Sequence, residues 1–395
     1  MELVDAAIPA HVPRSRVFDF DMVNDPLLQP DPHAGVLRLG QLAPAIFFTP
    51  RYGGHWVVQS HDAVFHVVHD TDTFSSSLGG GRPMLPISVD PPLHRDYRSV
   101  LLQAFSPKNV NAMLPAIRAM TIDLIDRVVG AGRCEFVGDL AEPLPVGIFM
   151  RMLGLPLEQM AEVRRSIIAA LAEGDPVRRN ALFEEQLETF LNPIIEARMA
   201  RREDDMISRI LDARLGDRHP TFDEVQRYLL LLTNAGLDTV TNAMSFGMLH
   251  LARDHDLQRR VRADPGIINA LVEEFLRRYP VSSVLRTVAR EAEYGGVQFR
   301  PGDRVHVLVP GANLDPEVFP EPERIILGRE APPVTFGTGI HRCLGSHLAR
   351  LELRNVLVEW FARVPPFALD PDEPPAMHAG LVYTVDRLPL VWPAA

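Results

Sequence analysis

From Tyr228 to Ala252 the chain is apolar almost throughout, interrupted by Asn234, Asp238, Asn242 and His250. A bilayer span needs about 20 apolar residues, so length alone would permit one here. Asp238 lies near the middle, however, and a central aspartate costs about 3 kcal/mol on insertion scales. The segment therefore reads as a long helix inside a large domain, apolar all round because it is enclosed all round. Such a helix needs other helices to enclose it. Apolar residues recur at three- and four-residue spacing over Val110–Val129, Leu157–Leu171, Arg179–Arg201, Phe222–Ala252, Leu257–Arg278 and Cys343–Val364. Short runs at Trp56–Ser60, Val297–Phe299, Val305–Val309 and Leu388–Trp392 predict strands. They are too few and scattered for βαβ alternation, so a mainly helical α+β fold with small sheets is expected.

Composition narrows the function classes. The 395 residues carry 40 Lys and Arg against 51 Asp and Glu, a net charge of -11 that should repel a phosphate backbone. Nucleic acid is thus not an expected partner. Two cysteines cannot build a disulfide framework and suit a reducing cytosol. The N-terminus, with early acids and prolines, has no apolar signal core, so a cytoplasmic location is expected. The 35 prolines punctuate elements without forming a low-complexity tract, and nothing looks like a linker. One domain over 1–395 is the expectation.

One cysteine stands out. In Phe336-Gly337-Thr338-Gly339-Ile340-His341-Arg342-Cys343-Leu344-Gly345, three glycines surround Cys343 and a strong helical pattern follows at once. Free amides and the positive end of a helix stabilise a thiolate there. The glycines permit turns that other residues resist. Position alone favours a plainer reading, a small buried cysteine beside a Gly-rich turn. Cys134, in Arg133-Cys134-Glu135, keeps that plainer reading.

The decapeptide resembles the haem-binding signature of the cytochrome P-450 superfamily, the haem-thiolate monooxygenases. Phe336, Gly337, Gly339, His341, Cys343 and Gly345 all match it. The resemblance implies haem b with Cys343 as its axial thiolate and Leu344 beside it, in a single helical domain. The haem would lie between the long central helix and the helix after the cysteine loop. Ala235-Gly236-Leu237-Asp238-Thr239 resembles the family's oxygen-activation motif. Gly236 is read as leaving room beside the iron. The Thr239 hydroxyl can compete for the carbonyl of Ala235, and Asp238 offers a titratable group for proton relay.

Other segments fit in order. Glu274 and Arg277 lie three apart on one helical face, and the resemblance implies a buried structural network completed by Arg324. His94 and Arg98, four apart, share the face of a helix that Asp90 can cap. With Arg286 and His341 they match family positions that contact haem propionates. His61, His66 and His69 lack a zinc-type cysteine or carboxylate pattern and read as packed or surface histidines. No GxGxxG follows a strand and no Walker loop occurs, so electrons are expected from outside.

The resemblance is nearest to the bacterial camphor-hydroxylase family. It implies a two-iron two-sulfur ferredoxin, an FAD-containing NADH reductase and a compact terpenoid substrate for a monomeric enzyme. Arg95, Arg98 and Arg342 are then expected on the partner-docking face. The chain departs from that family in a short, Gly-rich segment over residues 77–89, where the family's substrate-contacting tyrosine has no counterpart and Arg82 or Pro83 stands about at its place. Val284 replaces an acid, and Asn234 replaces an apolar residue. The expected lining is Met84, Leu85, Leu231, Asn234, Ala235, Ser282, Leu285, Leu381 and Val382. A looser, mostly apolar pocket suits terpenoids or norisoprenoids such as ionones. Two alternatives stand beside this reading: a non-catalytic haem-thiolate binding or sensing protein, and a peroxide-using haem-thiolate enzyme.

Overall fold

The computed structural model describes residues 7–77, 83–155, 162, 165, 166, 169, 176–236 and 238–394. Helices dominate. The sheets are small: five strands in the order β1 (Ile46–Thr49), β2 (His55–Val58), β8 (Arg304–Val307), β5 (Val284–Val288), β3 (Phe74–Ser75). A second sheet orders β4 (Arg133–Glu135), β12 (Pro389–Val391) and β9 (Ala368–Leu369). β6 (Ala292–Tyr294) pairs with β7 (Val297–Phe299), and β10 (Ala376–His378) with β11 (Thr384–Arg387).

Proline decides where several predicted helices divide. Leu257–Arg278 splits into His255–Ala263 and Ile268–Arg278 around a turn at Pro265–Ile267. Pro265 has no N–H to continue the ladder, and the Asp264 carboxylate caps Gly266 instead. Val110–Val129 becomes Pro107–Ala112 and Leu114–Val129, the second admitting Pro115 in its first turn, where no N–H is needed. Arg179–Arg201 runs from Pro176 to Ala200 through a wider turn at Leu187–Leu191 that ends against Pro193. Most of Leu157–Leu171 lies outside the described residues. The long segment forms Phe222–Gly236 and Asp238–Arg253, on either side of Leu237, which is also outside them.

Three apolar clusters hold these elements. One surrounds the C-terminal half of the long helix with Ser346–Arg363 and Ile268–Arg278. A second joins Leu229, Leu230 and Leu232 of its N-terminal half to Val146, Phe149 and Leu153 of the Pro143–Leu153 helix. The third fills the five-stranded sheet.

That sheet encloses an unusual histidine. His306, in central strand β8, is fully buried with neither ring nitrogen hydrogen-bonded, and His55 of β2 lies 6.0 Å away. Burial holds the His306 imidazole down at about 3 and that of His55 at about 4. Both folded values lie below the unfolded value near 6.5. The unfolded chain therefore takes up protons first, and stability is lost as pH falls from about 6.5 toward 3. At pH 5 the His306 contribution to that loss is about 2 kcal/mol. His306→Phe is expected to move the acid-unfolding midpoint to lower pH, read by circular dichroism. Coincident midpoints would contradict this account.

Candidate active site

The cysteine loop closes on itself. The Cys343 amide donates to the Phe336 carbonyl at 2.8 Å. Gly337 and Gly339 both take positive φ, +66° and +69°. A Cβ at Gly339 would also stand 3.2 Å from the Val68 carbonyl, so the loop can lie against the His61–His69 helix only with glycine there. The Phe336 ring is covered by the Arg350 guanidinium at 4.5 Å, itself forked onto Glu273. The helix begins at Ser346, three residues later than the pattern at Cys343 suggested. The thiol therefore precedes the first turn, where the Gly345 amide reaches it. Cys343 is accessible yet lies deep. Burial raises its thiol, against the pull of the Gly345 amide and of Arg98, Arg342 and Arg350.

The flanks of this loop share apolar clusters with the long helix. Phe336 packs into the cluster that also takes Val240 and Ala243, and Leu344 into the one holding Leu229, Leu230 and Leu232. Between those positions Ala235 is exposed, and Thr239 Oγ1 donates to its carbonyl at 3.2 Å. Asn242 adds a contact that the motif did not suggest. Its Nδ2 donates to the Asp238 carbonyl at 2.9 Å, and its Oδ1 accepts from the Val385 amide at 3.0 Å. A polar residue four after Asp238 in an apolar helix was the available signal. Gly236 differs from expectation. A Cβ there would meet the Phe149 ring at 2.8 Å, so the missing side chain makes room for that ring and not for a ligand.

Four basic residues gather beside the loop. His94 and Arg286 are buried, and the His94 ring lies 4.3 Å from that of His341. Arg98 donates to the Arg342 carbonyl, and His341 Nε2 shares a 2.9 Å hydrogen bond with Ser76 Oγ. His94 Nε2 and Arg286 Nε have no partner. Burial, with Arg286 and His94 nearby, pushes His341 down to about 3; burial with Arg98 nearby lowers His94. Burial lowers Arg98 and Arg286 as well. Asp90 is the acid acting on His94, Arg286 and His341. It does not cap the helix as expected. Its oxygens accept from Ser75 and Ser76, and His94–Leu102 starts after Leu93 with no side-chain cap. Two arginines, one buried with its Nε unpartnered and one half-buried, beside two neutral imidazoles call for added anions, and two carboxylates would satisfy them.

The family model for Cytochrome P450 matches residues 175–265 and 266–372. The chain is 34% identical to "Probable cytochrome P450 127A1" of Sinorhizobium fredii (strain NBRC 101917 / NGR234), covering 98% of this chain and 97% of that one. Crystal structures of CYP101J2 and cytochrome P450 CYP101C1 each superpose with a TM-score of 0.90. They are 36% and 35% identical, covering 98% of this chain and 100% of each of those.

The chain is a cytochrome P450.

It is therefore a monooxygenase whose cofactor is cysteine-ligated haem b, and the CYP101 neighbours agree with the resemblance to the camphor-hydroxylase family. The residues fit that group. An accessible thiol stands in a glycine loop, and an under-neutralised set of cations suits two propionates. Iron would deprotonate the thiol outright, overcoming the upward push of burial.

The structural network of this P450 differs in one member from expectation. Arg277 forks onto Glu274 at 2.8 and 2.9 Å, both buried. Arg324 contributes only its carbonyl, which accepts from Arg277 at 3.0 Å; its own guanidinium is exposed and pairs with Glu321. The third member is Arg329, whose Nε donates to Glu274 at 3.0 Å. Arg324 follows Pro322 into a surface turn, while five residues later the chain has turned back over Glu274.

Some of the residues expected to line the pocket lie together. Ser282 bridges Val382, and the Ser283 amide donates to the Leu381 carbonyl at 2.9 Å, joining two distant segments. Leu285, on β5, is half-buried, as are Leu231 and Asn234, whose Nδ2 donates to the Leu230 carbonyl at 2.6 Å. Met84 packs on the second cluster. Leu85 is 2% exposed within that cluster, so it is core and not lining. Arg82 and residues 78–81 lie outside the described residues. Arg95 and Arg342 are exposed, whereas Arg98 is half-buried and turned toward the Arg342 carbonyl, so it belongs with the basic cluster. His66 stacks on Tyr294 and His69 reaches Thr338, while His61 meets the Phe319 ring; they do not converge. Among the described residues no helix is long and apolar enough to cross a membrane.

Proposed function

We propose that this P450 hydroxylates a compact hydrophobic terpenoid or norisoprenoid, ionone-like in size, with electrons from a two-iron two-sulfur ferredoxin and its FAD/NADH reductase. Bound haem supplies the reductive activation of O2 that inserts one oxygen atom into a C–H bond and releases the other as water. The supporting observation is the exposed Ala235 in the middle of the long helix, with the half-buried Thr239 hydroxyl held on its carbonyl. Cys343 would ligate the iron, while His94, Arg98, Arg286 and His341 would hold the propionates. Phe336, Gly337, Leu344 and Gly345 would shape the loop around the haem. Thr239 Oγ1 would hand on protons arriving from Asp238, a role that a sensing protein would not need. Leu231, Asn234, Ser282, Leu285, Leu381 and Val382 would present a mainly apolar wall with few polar groups, which suits small lipophilic ligands. We also propose a monomer.

A spectral binding screen of monoterpenes, ionones, fatty acids and small aromatics tests the substrate class. Ionones should give the larger spin-state shifts. Tight, strongly shifting camphor binding would overturn the looser-pocket argument, and a preference for long-chain fatty acids would overturn the class. Turnover with NADH and a ferredoxin system, set against peroxide alone, separates the proposal from both alternatives.

The docking face gives a second test. Arg95 and Arg342 are exposed cations on an acidic chain, and Arg342 adjoins the thiolate position. An acidic ferredoxin would be steered there, more strongly at low salt. Arg342→Glu is expected to slow reduction while leaving the substrate-induced spin shift intact. An unchanged reduction rate at low salt would remove Arg342 from the docking face.

A further inference from the structure

We infer that Phe149 is a positioning residue for the oxygen-activating segment, acting through Gly236. The inference rests on the reading of Ala235–Thr239 given above. The three atoms nearest to a Cβ built on Gly236 all belong to the Phe149 ring: Cδ2 and Cε2 at 2.8 Å and Cζ at 2.9 Å. Real Cβ atoms do not stand that close to carbon, so ring and helix meet in a contact that glycine alone allows. The ring cannot simply withdraw. Phe149 is 5% exposed, within a cluster filled by Val146, Leu153, Leu229 and Leu230. Close-packed interiors pass such displacements on to the neighbouring element.

Helix geometry says what that contact controls. Ala235 and Thr239 are four apart and share one face, while Gly236 lies about 100° round from Ala235. A ring seated on Gly236 therefore sets the rotation of the helix, and with it the direction in which the Thr239 hydroxyl and the exposed Ala235 face the cleft. Leu344, next to the thiol, packs on the same cluster. One body of side chains thus spaces the cysteine loop and the oxygen-activating segment. Gly236 serves catalysis from its back, through packing, and not by leaving space at the iron.

Size complementation tests this. The compound giving the largest spin-state shift in the screen serves as substrate, and product and peroxide per NADH are measured together with thermal midpoint. Gly236→Ala should divert NADH to peroxide, with product falling by up to about 100-fold, the scale of a 1 Å misplacement. Adding Phe149→Leu to Gly236→Ala should restore most of the product yield. Phe105→Leu, in the same cluster but contributing none of the three atoms nearest to a Gly236 Cβ, should lower the thermal midpoint and leave coupling unchanged. A double variant no better coupled than Gly236→Ala would overturn the proposal, as would uncoupling by Phe105→Leu equal to that of Gly236→Ala. Thr239→Ala is run in parallel. Full coupling in that variant would overturn the reading of the segment itself, and the positioning role with it. Uncoupling in Thr239→Ala without rescue in the double variant would fault the Phe149 role alone.

Discussion

Cys343→Ala is expected to abolish the red-shifted Soret band of the reduced carbon monoxide complex, while Cys134→Ala keeps it in full. The two cysteines differ in surroundings, not in kind. Cys134 is buried in β4 opposite Leu390, with its thiol pushed far up by burial and by Asp139 and Glu135. The charges acting on it are both acidic, so it stays a neutral, inert side chain. Cys343 is accessible, with Arg98, Arg342 and Arg350 acting to favour its charged form. Its glycine loop holds the sulfur at the mouth of a helix. The measurement is a reduced carbon monoxide difference spectrum of each purified variant, with haem content determined separately. Retention of the band without Cys343, or its loss without Cys134, would sink the ligand assignment.

The second large effect is on stability. Arg277→Met is expected to cost about 3–5 kcal/mol, the range for removing one partner of a buried ion pair. The Arg277 guanidinium is 1% exposed and satisfies the carbonyls of Asn313, Pro322 and Arg324 as well as Glu274. Arg329→Met should cost less, about 1.5–3 kcal/mol, since Glu274 keeps Arg277 and the Ile326 amide at 3.0 Å. Arg324→Ala should leave the denaturation midpoint where it is, because only its backbone takes part. Guanidinium denaturation of the haem-loaded variants, followed by tryptophan fluorescence and by the Soret band, ranks the three. A cost at Arg324 equal to that at Arg329 would mean that the network has been misassigned.

These two cases mark out what was legible in the chain. The cysteine loop is contiguous, so its glycines, its cysteine and the following helix announce themselves without knowledge of any distant residue. The same holds for Thr239, whose hydroxyl meets a carbonyl only four residues back. The long apolar helix, the small sheets and the pairing of Glu274 with Arg277 are likewise local: they follow from periodicity and i, i+3 geometry.

Other features depended on where separate segments come to lie. Arg324 was the expected third member; the course of the chain after Pro322 puts Arg329 on Glu274 and the Arg324 guanidinium in solvent. Asp90 sits where a cap would be useful, yet Ser75 and Ser76, brought in by a strand of the five-stranded sheet, take its oxygens. Leu85 follows half-buried Met84, but its neighbours close over it. Gly236 looked like space for a ligand until the Phe149 helix filled that space. Residue type and spacing by themselves determined the helical class of this protein and marked out its cysteine loop; the resemblance of that loop to the haem-binding signature supplied the chemistry it serves. Tertiary structure alone decided which cations close the network, what the glycine of the long helix faces and that Leu85 belongs to the core. Each of those depends on contacts between residues far apart in the chain, and no local spacing encodes such distances.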